Sequence, residues 1–90
     1  MTDAAGYSVV IEDAAARALR KLPREIQSRL TSKANSLATN PRPSGHVKLA
    51  GGQELYRVRV GDYRIVYQIQ DSRRVVIVLI VGHRREVYRD

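Results

Sequence analysis

Residues Leu55 to Ile69, LYRVRVGDYRIVYQI, alternate tyrosine or aliphatic side chains with arginines on both sides of a Gly61-Asp62 pair. A period of two is the signature of a β-strand. A Gly-Asp pair between two such runs makes a two-residue hairpin loop, because glycine supplies the positive φ that tight turns require. That loop sets the register: Val60 opposite Tyr63, Arg59 opposite Arg64, Val58 opposite Ile65, Arg57 beside Val66 and Tyr56 opposite Tyr67. One face then carries Tyr56, Val58, Val60, Tyr63, Ile65, Tyr67 and Ile69, and the other Arg57, Arg59 and Arg64.

Like charges placed directly opposite on a sheet face repel. A hairpin shaped for stability alone would not set Arg59 across from Arg64, and a phosphate-bearing ligand would remove the conflict. Solvated arginines whose stems cover apolar sheet are the other reading, since water and salt weaken repulsion between exposed charges.

Before the hairpin, Tyr7 to Ile11 is a short β-rich run, and Asp13 offers a capping oxygen to a helix over Ala14 to Leu22. Ala15, Ala18, Leu19 and Leu22 fall on one helical face. Pro23 interrupts the pattern and opens a second helix, where its missing N–H costs nothing. Ile26, Leu30, Ala34, Leu37 and Ala38 form the second apolar stripe, and the turn formers of Asn40 to Gly45 end it. Gly45 to Gln53 reads as loop. After the hairpin, Asp71 to Arg74 turns into Val75 to Val81, seven unbroken apolar residues that suit a strand covered on both faces. Gly82 closes it, and HRREVYRD is a polar tail that reads as a strand extension, a loop or a short helix.

The order β-α-α-β-β-β predicts an α+β fold, a helical hairpin packed on a small, mostly antiparallel sheet. Ninety residues make one domain, 1–90, near the small end of what a single core stabilises. No cysteine is present, so a disulfide framework or thiolate metal site is excluded. With two histidines far apart in sequence, a dedicated metal site is not expected and no cofactor is implied. The N-terminal residues lack the basic start and apolar run of a secretion signal, and no stretch approaches the roughly 20 apolar residues of a membrane span. A cytoplasmic protein without a membrane partner is expected.

The net charge of +7 implies attraction to polyanions, whether nucleic acid, anionic membrane or an acidic protein, and charge alone does not choose among them. Residues 14 to 53 hold eight Lys or Arg (Arg17, Arg20, Lys21, Arg24, Arg29, Lys33, Arg42, Lys48) against one acid, Glu25. Helices usually mix signs for i, i+4 pairing, so this imbalance favours an extended polyanion over a small substrate. Arg17, Arg20 and Lys21 are the candidate contacts to such a polyanion, RNA among the possibilities, on the first helix.

The element order, together with KLAGGQELYRVRVGDYRIVYQI and VVIVLIVGHRREVY, resembles the RelE toxins of bacterial and archaeal toxin-antitoxin pairs, within the wider RelE/ParE superfamily, from Tyr7 to Tyr88. The resemblance implies a ribosome-dependent endoribonuclease, an mRNA interferase that cuts messenger RNA in the A site of the 70S ribosome. It also implies contact with ribosomal RNA and a cognate antitoxin that wraps the toxin in a hetero-oligomer. Relatives in the ParE branch poison DNA gyrase without RNA chemistry. Arg84 and Tyr88 stand where RelE-like nucleases carry a functional arginine and tyrosine, and Arg64 matches another arginine of that site. Arg57 and Arg59 stand where the best-known members carry lysines, and an arginine, unlike a crowded lysine, cannot lose its proton and act as base.

Metal-independent RNA cleavage uses the substrate's 2′-hydroxyl as nucleophile and leaves a 2′,3′-cyclic phosphate and a 5′-hydroxyl. Planar guanidinium groups suit the phosphate, which assigns Arg64 and Arg84 to the transition state and Arg57 and Arg59 to flanking phosphates. Tyr88, His83 and Glu86 are the candidates for proton transfer. Histidine titrates near neutrality, while arginines near Tyr88 would favour its phenolate. A surface-polar His83 remains the alternative. Lys48 matches a lysine-leucine pattern of the family and is a phosphate contact or a solvated residue; His46 reads mainly as a loop residue. Two further readings stand: a ParE-like gyrase inhibitor, and an inactive RNA-binding or interaction module.

Overall fold

A computed structural model of the chain describes residues 6–51 and 54–83. In chain order the elements are β1 (Ser8–Ile11), α1 (Asp13–Arg20), α2 (Arg24–Ser36), β2 (Val47–Lys48), β3 (Leu55–Val60), β4 (Tyr63–Gln70), a 3-10 turn (Asp71–Arg73) and β5 (Val75–His83). They build an α+β fold with one mixed sheet of order β1-β5-β4-β3-β2, in which β1 runs parallel to β5 and every other pair is antiparallel. No helix among the described residues is long and apolar enough to cross a membrane.

The hairpin register is the one expected, from Val60↔Tyr63 through Arg59↔Arg64 to Tyr56↔Tyr67. Gly61 takes φ 59° while Asp62 stays out of the left-handed region, the pattern of a type II′ turn whose twist matches that of the strands. Tyr56, Val58, Ile65, Tyr67 and Ile69 point to one face, where they meet Ala15 of α1 and Leu30, Ala34 and Leu37 of the α2 segment in a buried core. Burial there pushes the Tyr67 phenol up to about 12, and its hydroxyl donates to the Pro41 carbonyl at 2.7 Å.

Four details depart from the sequence expectations. Asp13 is the first residue of α1 rather than its cap; Glu12 holds the cap position without a side-chain bond. The cause is continuity: the Glu12 N–H still donates to Val78, so the sheet ladder runs directly into the helix. The span expected as loop from 45 to 53 contains the short strand β2, held by Val47↔Arg57 and Lys48↔Tyr56. Strand β5 extends to His83, past the glycine expected to close it.

The fourth departure concerns the covering of β5. Its register with β4 shifts between Val66, which faces Ile80, and Tyr67, which faces Val78, leaving Leu79 as an extra residue in a β-bulge. Strict alternation would bury Val76, Val78 and Ile80 together. The bulge instead turns Val81 into the core, 6% exposed, and Ile80 outward, 45% exposed. Seven apolar residues in a row therefore do not mean two covered faces; Ile80 and, on the neighbouring edge strand, Val10 lie open.

Candidate nucleic-acid interface

The face away from the helices carries Arg57 and Arg59 of β3 and Arg64 of β4, brought together by the register of a single hairpin. Arg59 is exposed, Arg57 half-buried, and Arg64 only 6% exposed. Its cross-strand neighbours are Arg59 on one side and Gly82 on the other. Without the bulge at Leu79, the register would place Val81 beside Arg64; the inserted residue substitutes glycine, which carries no side chain into the space beside the guanidinium. Bulges re-aim side chains next to functional sites, and here one side chain is removed from the arginine's flank.

A guanidinium held in such surroundings acts through a lower effective dielectric than a solvated one. Val66, 6% exposed, and the outward Ile80 and Val47 adjoin the cluster on the same face. The arrangement is a rigid, two-stranded cationic platform with apolar flanks, suited to a phosphodiester with its positive fork preorganised.

The other expected site residues are divided by the sheet. His83 pairs directly with Tyr63, and the two rings meet edge to face at 5.6 Å on the helix-covered side, so His83 does not join the arginine cluster. Lys48 also faces that side at the edge of β2, with its Nζ 3.3 Å from Glu54 Oε2. Arg17, Arg20 and Lys21 are exposed on or just after α1, on the helix layer behind the platform. His46 is engaged in its own loop, with Nδ1 2.7 Å from the Pro43 carbonyl and its ring 5.6 Å from that of Tyr56. Arg84, Glu86 and Tyr88 lie outside the described residues. Among the described residues no group of three or more His, Cys, Asp or Glu is placed to hold a metal ion.

Arg42, counted by sequence among the cations of the helical half, belongs to a structural network. Its guanidinium donates to both oxygens of Asp71 at 3.2 and 2.9 Å, to Glu54 at 3.4 Å and to the Tyr56 hydroxyl at 3.3 Å. Tyr7 adds a 2.6 Å hydrogen bond to Asp71. The Arg42 bonds, then that of Tyr7, hold the Asp71 carboxyl down to about 2, and the Asp71 bond in turn raises the Arg42 pKa. Glu54 is lowered first by the Tyr56 hydroxyl and then by Lys48.

Arg29 is the cation whose place the sequence did not reveal. Its Nη2 lies 3.2 Å from the position a Cβ on Gly61 would occupy, so α2 reaches the hairpin tip. The only sequence signal was its membership of the basic helical half.

A family model described as the ParE toxin of the type II toxin-antitoxin system parDE matches residues 9–88. The chain is 33% identical over 90 residues to the toxin RelE of Mycobacterium tuberculosis, covering 99% of this chain and 93% of that one. It is 32% identical over 88 residues to the mRNA interferase toxin RelE of Escherichia coli, covering 93% and 92%. Among solved structures, the toxin-antitoxin complex RelBE2 of M. tuberculosis superposes with a TM-score of 0.78 at 31% identity, over 88% of this chain and 99% of that chain.

Proposed function

This chain belongs to the RelE/ParE superfamily of toxins from type II toxin-antitoxin systems, and from that premise we propose that it is an mRNA interferase, a ribosome-dependent and metal-independent endoribonuclease acting on messenger RNA in the A site of the 70S ribosome. The observation that carries this reading is Arg64, nearly buried on the sheet face away from the helices, opposite Arg59 and flanked by Gly82. The mRNA interferase name of the E. coli relative supports it.

In the proposed reaction the 2′-oxygen of the message attacks the adjacent phosphorus while the bond to the 5′-oxygen of the next nucleotide breaks. The proton leaves the 2′-hydroxyl, another reaches the departing 5′-oxygen, and a 2′,3′-cyclic phosphate remains. Arg64 binds the non-bridging oxygens as their negative charge grows, aided by Arg84 of the tail. Arg57 and Arg59 hold flanking phosphates. Because His83 packs against Tyr63 on the helix side, Tyr88 and Glu86 are the groups assigned to proton transfer. A cognate antitoxin neutralises the toxin in the cytoplasm, by analogy with the RelBE2 complex.

The ParE description of the matching family model favours one second reading, gyrase inhibition without RNA chemistry. Primer extension on a message in a reconstituted translation system separates the two. Wild type should give codon-spaced cuts only when ribosomes are present, Arg64→Ala and Arg84→Ala should lose them, and Tyr88→Phe reports on its hydroxyl. Arrested growth on expression without any cut, with gyrase supercoiling inhibited in vitro, would replace the nuclease by the ParE-like activity.

A further inference from the structure

Between α2 and the hairpin tip lies an open groove of about 700 Å³. Its helix wall presents Ser28, Ser32 and Ser36, spaced i, i+4, i+8, with Arg29 and Lys33 on the adjoining row; its other wall is Arg59, Val60 and Gly61. Successive positions of each row lie about 6 Å apart along the helix axis, comparable to the step between successive phosphates of a single strand.

Three features identify what such a groove takes. Arg29, Lys33 and Arg59 make no ion pair among the described residues, whose salt bridges all involve Arg42 or Lys48. The hydroxyls of Ser28 and Ser32 alternate with the cations, while that of Ser36 donates to the Lys33 carbonyl at 2.6 Å; the two remaining hydroxyls suit a row of anionic oxygens. Val60 is the only apolar side chain in the lining, so the groove lacks the buried aromatic or aliphatic anchors that carry protein-protein affinity.

Continuity supplies the direction. Strand β2 covers β3 only at Tyr56 and Arg57, which leaves β3 as the sheet's edge near the hairpin tip. Arg59 stands at that edge, opposite Arg64 on the platform and also in the wall of the groove. We infer that the groove between α2 and the hairpin tip is an RNA track: a single-stranded message held on the arginine face continues over the β3 edge at Arg59 and lays its flanking phosphates along Arg29, Lys33 and the serine row. This inference rests on the nuclease reading for the identity of the strand, and adds a binding subsite remote from the cleaved bond.

The test is fluorescence anisotropy of labelled oligouridylates of 5 and 15 nucleotides, titrated with the full chain at several salt concentrations. The variants are Arg29→Ala/Lys33→Ala and, with an acid placed in the groove instead, Ser32→Glu; thermal melting verifies that each is folded. Both variants should weaken binding of the 15-mer by about tenfold and leave the 5-mer nearly unchanged. The slope of log affinity against log salt for the 15-mer should flatten by about 1.4 in the double variant, about 0.7 for each cation removed. Absent binding by wild type, wild-type affinity and slope in both variants, or equal losses for both lengths would overturn the track. A loss of affinity for the cognate antitoxin with RNA binding intact would overturn it too, making the groove a protein interface. The expected RNA loss combined with a wild type that cuts nothing on the ribosome would uphold the track and reject the nuclease reading.

Discussion

Arg42 and Arg64 stand at opposite ends of the long hairpin, and their surroundings show two uses of the same side chain. Arg42 meets Glu54, Tyr56 and Asp71 at the end remote from the turn, where it ties the loop after α2 to the sheet rim. Arg64 lies near the turn, across from another arginine and beside a glycine. Acids collect at the first end, while the second gathers Arg29, Lys33, Arg57, Arg59 and Arg64 with Asp62 as the one acid on the turn among the described residues. An arginine saturated by carboxylates holds structure together; one whose cross-strand neighbours are an arginine and a glycine is suited to an anionic substrate.

The sharpest break between the ends is Arg64→Ala. Removing one preorganised donor from a developing anion costs about 10²–10³ in rate, so ribosome-dependent cleavage should fall by that factor, measured by primer extension. Arg64→Lys should recover only part of it, since an ammonium keeps the charge without the planar fork. Full activity in the alanine variant would remove Arg64 from the site.

Gly61→Ala acts at the same end through the backbone. Its φ of 59° and the Arg29 guanidinium 3.2 Å from the new Cβ combine to cost about 1–2 kcal/mol, read as a lowered denaturation midpoint. A smaller change would mean that the turn relaxes into another type.

Arg42→Ala should leave cleavage unchanged while costing about 1 kcal/mol, the scale of a half-exposed ion-pair network. For a chain of this size that is a fall in melting temperature of about 4–8 °C. Loss of cleavage at unchanged stability would erase the distinction between the two arginines.

The smallest effect is on pH dependence. Asp71 is held at about 2 in the folded protein against 3.8 as its ordinary value, so its contribution is present above about pH 4 and is lost as pH falls towards 2. Asp71→Asn should flatten the decline of melting temperature over that window; an unchanged decline would assign acid sensitivity to other carboxylates.

Much of this is legible in the sequence itself. The alternation around Gly61-Asp62 specified every pair of the hairpin, because a two-residue loop and a period of two leave one register that buries the apolar face. The helical stripes likewise located Ala15, Leu30, Ala34 and Leu37 in the core. Arginines 57, 59 and 64 could therefore be placed on one face from local information alone.

What tertiary structure alone decided depends on partners distant in the chain or on a change of phase within a strand. Arg42 finds Asp71 29 residues away, and nothing in the local pattern distinguishes it from the solvated cations around it. The bulge at Leu79 is invisible in a run of uniformly apolar residues, yet it turns Ile80 outward, sets Gly82 beside Arg64 and sends His83 to the helix side. The approach of Arg29 to Gly61 arises from packing α2 across the sheet. Local periodicity determines which face a side chain takes while the phase is kept; three-dimensional packing decides where that phase slips and which distant charges meet.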